Sequence, residues 1–450
     1  MIKFLFAIAL AAVCAVPAHS SDPSIWSVNS RSDVLKGDAR SVSVDDAGVI
    51  RIAPRISDLY KTEQPYIWSS TFDSAGNVYL GTGSDGRIYK VTAGGSGALF
   101  ADLTELNVTA IVAARSGEIF AATSPDGKVY KIDAAGKPSV YFEPGEKYIW
   151  SLALMSDGSL AVGTGESGKI YRVKTANAAA AASLFYDTSE THIISLGADA
   201  QGNLYAGTDS NGLVLRFGAD GKPFALLDSP LREIHQLAVA PDGTIYALAI
   251  SESAAAPAST PSPAASPENK TVSAAKPGPA TPEPPQKSRY DLTGARSAVY
   301  RIASDGGTSV IWSSTSVTGF SVYAHKTGDG VLLGTSDKGR IYSVTNDARE
   351  TLVLQSDASQ ISTIFSFGQD LYATTSNQGR LFKFGSDRAA EGIYESAVLD
   401  AKSTSGWGRA WWRSTGGVEI QTRSGNTQEP DETWSQWTNV AGSVGGPVES

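Results

Sequence analysis

The sequence predicts an all-β chain, a seven-bladed β-propeller with a C-terminal partial β-sandwich. Three observations carry this: one pattern recurs at a near-constant period, glycine makes up 45 of the 450 residues, and Asp-Gly or Asn-Gly turns separate short apolar runs. Hydrophobic residues are 41% and charged residues 18% of the chain, enough apolar material for a large core. The glycine content excludes an all-helical chain.

The first twenty residues read as a secretory signal, with Lys3, an uncharged run from Phe4 to Val16, and the small-residue exit VPAHS at 16 to 20. The run is short for a membrane span, and no later stretch approaches one. Cleavage removes Cys14, the one cysteine, so no disulfide forms in the mature chain. A periplasmic or extracellular protein without a transmembrane segment is expected. The net charge of −9 disfavours nucleic acid and anionic lipid as partners.

After an N-terminal segment, 21 to 54, the repeat begins. Its copies are NVYLGTGSDGRIYKV from Asn77, EIFAATSPDGKVYKI from Glu118, SLAVGTGESGKIYRV from Ser159, NLYAGTDSNGLVLRF from Asn203, VLLGTSDKGRIYSV from Val331 and DLYATTSNQGRLFKF from Asp370. Measured at Tyr89, Tyr130, Tyr171, Leu215, Tyr300, Tyr342 and Phe382, the spacing is 40 to 44 residues except for one gap of 85. Each copy reads as three strands joined by Gly turns, with a fourth short strand after it, such as GALFADL or PSVYFEP. Six fourth strands lie inside the array and a seventh, RISDLYKT at 55 to 62, precedes it. That strand is expected to complete the blade built by 361 to 384, closing a seven-bladed ring over 55 to 386.

The doubled gap holds residues 252 to 287, with nine prolines, nine alanines and no aromatic residue. Such a segment has nothing to bury against its ordering entropy, and a disordered insertion in blade five is expected. After the repeat, five of the nine tryptophans fall at Trp407, Trp411, Trp412, Trp434 and Trp437, and alternating segments there read as a partial sandwich module over 391 to 450. Core packing is expected for at least one of Trp411 and Trp412, because adjacent strand positions face opposite ways.

This pattern resembles the WD-repeat, YVTN and quinoprotein-like propellers across residues 56 to 386. The Gly-His and Trp-Asp pairs of true WD repeats are missing, so the resemblance is one of architecture. The tail is similar to discoidin-like or galactose-binding-like modules.

No nucleophile elbow, phosphate loop, His-Glu-x-x-His or cysteine metal site occurs, and neither a metal nor a cofactor is expected. Candidate ligand-binding residues come from aligning the first five blades on the glycine of their first hairpin. Nine positions earlier stand Ile67, Val108, Ile149, Ile193 and Ile234, which read as core. Flanking them are Tyr66, Trp68, Tyr148, Trp150, His192, Glu233 and His235, suited to stacking on or hydrogen-bonding a polar organic ligand at the channel mouth. The competing reading makes Trp68 and Trp150 wedges between blades. The recurrent Thr82, Thr123, Thr164, Thr208, Thr335 and Thr375 read as turn stabilisers, and Asp85 and Asp126 as turn formers. The function expected is non-catalytic binding or scaffolding of a protein or polymer partner. Alternatives are a propeller enzyme of lactonase, lyase or cofactor-dependent dehydrogenase type, and adhesion to a polysaccharide through the tail.

Overall fold

The structure, a computed structural model, describes residues 25–174, 182–251, 291–402 and 405–440. The signal read at 1 to 20 and the insertion read at 252 to 287 lie outside the described residues. The chain divides into two units, Ala39–Glu395, and Met1–Asp38 with Ser396–Ser450.

Among the described residues of the first unit the strands pair as seven four-stranded antiparallel meanders, the arrangement of a β-propeller. Their inner strands are Ile67–Phe72, Asn107–Ala113, Ile149–Leu154, His192–Ala198, Glu233–Val239, Gly319–Ala324 and Gln360–Phe367, numbered below as blades one to seven. A single bridge, Asp209 to Glu233, joins blades four and five. The outer strand of blade seven is Ser57–Lys61, paired with Arg380–Phe384 through Lys61–Arg380 and Tyr60–Leu381. Residues from the start and end of the repeat array thus share one sheet, as the extra outer strand at 55 to 62 requires. In blade five Ile250 pairs with Ser297, so the segment between them leaves from a hairpin end.

One addition was not legible in the repeat. Val42–Val44 and Ile50–Ile52, in the segment read as preceding the ring, form a hairpin that extends blade six through Val44 and Leu352. Three-residue strands fall below the length at which alternation can be recognised.

Two repeated devices explain the conserved lettering of the blades. The threonines at 82, 123, 164, 208, 335 and 375 are all fully buried. Thr82 Oγ1 donates to the Arg87 carbonyl at 2.8 Å and Thr164 Oγ1 to that of Lys169 at 3.1 Å, clamping the second hairpin, while Thr208 Oγ1 accepts from the Leu213 amide at 3.0 Å. Ala249 holds this position in blade five, the blade with the insertion.

The second device joins neighbours. Ser69 Oγ donates to the Val108 carbonyl at 2.8 Å, Ser151 to Ile193 at 3.0 Å, Ser195 to Ile234 at 3.1 Å and Ser321 to Ile361 at 3.0 Å. Thr109 does the same to Ile149 at 2.5 Å and Ser376 to Ile67 at 3.4 Å. Between blades five and six the Gly319 amide donates to Ser297 Oγ at 2.9 Å. Every blade is therefore bonded to the inner strand of the next, by contacts worth about 1 kcal/mol each.

The glycine before the clamping threonine makes this approach possible. A Cβ on Gly81, Gly163, Gly207 or Gly334 would lie 2.3–2.4 Å from the serine oxygen and 2.6–2.7 Å from a methyl of Val108, Ile193, Ile234 or Ile361 in the next blade. Blade five inverts the pair: Leu248 stands in place of glycine, and blade six answers with Gly319 in place of the branched residue. A Cβ on Gly319 would meet Leu248 Cδ1 at 2.7 Å.

The second unit is described by itself. Arg31–Val34 forms one helical turn capped by Ser30. Of the sandwich expected over 391 to 450, the described residues of this unit contribute one short ladder, Gln421 with Asn439 and Thr422 with Thr438. Trp407 is 62% and Trp411 78% exposed and Trp412 is half-buried, so among the described residues neither Trp411 nor Trp412 has the core position expected of one of them. Arg423 lies over the Trp437 ring at 4.4 Å.

The Leu248–Gly319 inversion gives the first prediction. Gly319→Val alone overpacks a tight contact and Leu248→Ala alone opens a cavity, at costs of about 1–3 and 2–5 kcal/mol. The double variant is expected to recover at least 1 kcal/mol of the summed loss in a denaturant-unfolding cycle. Strict additivity would mean the two side chains do not share one space.

Candidate functional site

The inner strands do not run straight. Pairing slips by one residue between Ile67 and Ser69, Ile149 and Ser151, Ile193 and Ser195, Ile234 and Gln236, Gly319 and Ser321, and Ile361 and Thr363. In blade two the slip passes over Thr109. The extra residues are Trp68, Thr109, Trp150, Ile194, His235, Phe320 and Ser362, one per blade at the same height. A bulge re-aims the side chain it carries. The preceding Ile67, Val108, Ile149, Ile193 and Ile234 are fully buried, as read.

The candidate residues fall into two groups. In the first, Tyr148 and Trp150 stack with centroids 5.1 Å apart and 20° between planes, and His192 of blade four stands edge-on to Trp150 at 5.8 Å and 88°. Trp150 Nε1 donates to His192 Nδ1 at 3.1 Å, and the Glu166 amide donates to the same nitrogen at 3.3 Å. Trp150 is thus tied across the joint between blades three and four, the wedge geometry of the competing reading. In the second group Tyr66 and Trp68 stack at 5.2 Å and 6°. Phe320 lies 6.5 Å from Trp68 and 4.7 Å from His235, and His235 Nδ1 meets Glu233 Oε1 at 2.7 Å.

Phe320 links blade six to blades one and five, and the alignment of five blades left it out. The signal was present, because Gly328 follows Gly319 by the same nine residues. A second missed signal sits beside the tryptophans. Only blades one and three carry Gly after the clamping threonine, and these are the blades with a bulged Trp. A Cβ on Gly83 would lie 2.1 Å from Trp68 Nε1, and one on Gly165 2.4 Å from Trp150 Nε1. Each indole brings its Nε1 edge into the space a Cβ would fill.

One expectation about the rim is corrected. Glu233 is expected to offer a polar group to a ligand at the channel mouth, yet its side chain is fully buried and bonded to His235, whose side chain is 12% exposed. Asp209, its bridge partner, is equally buried and takes Arg232 Nε at 2.8 Å. Around the same face Lys128 pairs with Glu105 at 2.7 Å, Lys169 with Glu146 at 2.8 Å and Lys147 with Glu166 at 3.3 Å. Asp85 accepts from Gln64 Nε2 at 3.0 Å, and Asp126 adopts φ of 59° in its turn. Burial holds His192 below its ordinary value of 6.5, against the pull of Asp209, Glu233 and Glu166. Its Nδ1 accepts two N–H groups, so the neutral ring carries its proton on Nε2. Among the described residues no three His, Asp or Glu side chains are grouped as metal ligands. The arrangement presents ring faces and edges framed by charges already matched to one another.

No family model and no curated protein sequence matches the chain. Solved structures do. Virginiamycin B lyase from Staphylococcus aureus is similar with a TM-score of 0.55 at 12% identity, over 74% of this chain and 99% of the lyase. The extracellular domain of BT4673 from B. thetaiotaomicron gives 0.51 at 12% identity, over 73% of this chain and 39% of that one. A chain of the Mitotic Checkpoint Complex gives 0.52 at 12% identity, over 75% and 94%. These likenesses show the β-propeller fold. Among the described residues no helix is long and apolar enough to cross a membrane.

Trp150 separates packing from the hydrogen bond. Trp150→Phe keeps a ring on Tyr148 but drops the N–H donor, and is expected to cost about 1 kcal/mol. Trp150→Ala removes the ring as well and is expected to cost about 3 kcal/mol. Equal melting temperatures for the two variants would contradict the stacking contribution.

Proposed function

We propose that the chain is a non-catalytic binding or scaffolding propeller of the periplasm or cell exterior, which takes a protein partner at the mouth formed by Tyr66, Trp68, Tyr148, Trp150, His192, Glu233, His235 and Phe320. The observation that carries this reading is the pairing of the polar groups. Glu233 is bonded to His235, and His192 Nδ1 is engaged by Trp150 and Glu166, while the rings of Tyr66, Trp68, Tyr148, Trp150 and Phe320 are only half-buried. Carboxylate and imidazole act here as supports for rings. Aromatic groups with a polar handle on a rigid frame are typical anchors of protein interfaces.

Two of the similar structures favour the same reading: one belongs to a protein assembly and another is an extracellular domain. The likeness to a lyase is a likeness of fold, and fold alone transfers no chemistry.

Affinity capture from native extract, followed by titration of the recovered partner, tests the proposal. Replacing Tyr66 and Tyr148 together with alanine is expected to weaken binding at least tenfold, about 1.4 kcal/mol. Trp407→Ala with Trp411→Ala in the tail is expected to leave it unchanged. Loss in the tail variant with retention in the mouth variant would reverse the assignment.

A further inference from the structure

We propose that His192 makes the channel mouth sensitive to pH: protonation of its Nδ1 breaks the bonds from Trp150 and Glu166 and frees the indole from the joint between blades three and four. The proposal concerns regulation of the mouth. It rests on the binding reading only for its consequence, since the ring movement itself needs no partner.

Geometry leaves Nδ1 little choice. Trp150 Nε1 at 3.1 Å and the Glu166 amide at 3.3 Å both direct hydrogens at one lone pair. An imidazolium carries N–H on both nitrogens and accepts from neither, so a proton at Nδ1 faces two donors and abolishes both bonds. The imidazole cannot settle the conflict by moving toward the hairpin of blade three. Even the single carbon of a Cβ on Gly165 would stand 2.6 Å from Nδ1. The indole is half-buried, and once the bond to Nδ1 is lost its stack on Tyr148 and its edge contact with His192 are the ring contacts left to hold it.

Charged groups reach His192 from every side. Glu166 comes from the second hairpin of blade three, Asp209 from the second strand of blade four, Glu233 from the inner strand of blade five and Arg232 from the residue before it. The three carboxylates favour the cation and Arg232 opposes it, as does burial, the largest effect. Arg232 is bound to Asp209, His235 to Glu233 and Lys147 to Glu166, which tempers each acid's pull. The folded protein therefore prefers the neutral ring. Its contribution is complete above the ordinary histidine value of 6.5 and is lost as pH falls through the lower folded value. The mouth is ordered at neutral pH and loosened in mild acid.

The full chain labelled with 15N at the tryptophan indoles tests this directly, with the Trp150 resonance assigned by its disappearance in Trp150→Phe. Between pH 8 and 5 that resonance is expected to move along one titration, with a midpoint below 6.5 shared by the His192 ring protons. His192→Gln, whose amide oxygen accepts an indole N–H without titrating, is expected to abolish the movement, and His235→Gln to preserve it. A Trp150 resonance that stays fixed while the His192 ring titrates overturns the proposal, and so does a titration that survives in His192→Gln. If His192→Gln fails to fold, the shared midpoint in the unmodified protein decides alone. Unchanged partner capture at pH 7.5 by the Tyr66 and Tyr148 variant would sink the binding reading while leaving the indole titration intact, so the two failures are distinguishable.

Discussion

Each blade of this ring is held to the next by a hydroxyl or amide hydrogen bond at the inner strand. Ser69, Thr109, Ser151, Ser195, Ser321 and Ser376 supply hydroxyls to a neighbour's carbonyl, and Ser297 closes the remaining joint by accepting from Gly319. Such a bond forms only if two sheets approach closely, and at five of the joints a missing Cβ makes room, at Gly81, Gly163, Gly207, Gly334 and Gly319, while Ala122 and Thr374 stand at the other two. The Gly-Thr lettering follows from this: glycine admits the neighbour's branched side chain, and threonine clamps the hairpin that glycine would otherwise loosen. The outer strand Ser57–Lys61 then joins the two ends of the array in one sheet.

The same tight packing shapes the candidate site. A strand pressed against its neighbour at one fixed residue absorbs its extra length in a bulge beside that residue, and the bulge recurs in all seven inner strands. It carries Trp68, Trp150, His235 and Phe320 in four blades and the smaller or aliphatic Thr109, Ile194 and Ser362 in the other three. Gly83 and Gly165 leave the space that the Nε1 edges of the two indoles enter. Site and scaffold are therefore one structure, and side chains at the mouth inherit the rigidity of the joints beneath them.

Much of this was legible in the sequence, because the period near 41 and the turn residues repeat one physical solution. Counting outer strands was enough to assign 55 to 62 to the last blade. Local irregularities were harder to read. A bulge needs no unusual residue type, and within inner strands of six to eight residues its one-place shift of the alternation is too brief to mark it. The hairpin of Val42–Val44 and Ile50–Ile52 is too short to show a period. Glu233 resembled any acidic group near a loop; His235 stands two residues on in the same strand, but the bridge partner Asp209 is brought beside it only by the fold. Phe320 was within reach of the alignment ruler and needed only its extension to blade six.

Replacing Ser69, Ser151, Ser195 and Ser321 by alanine, singly and together, tests the joint most directly. Each change leaves a buried carbonyl without its donor, and a loss of about 1 kcal/mol per site is expected, accumulating to several kcal/mol in the quadruple variant. Denaturant unfolding followed by fluorescence measures both. Stepwise loss, with each joint contributing, is the predicted result. A quadruple variant as stable as the unmodified protein would contradict the claim that these bonds hold the ring together.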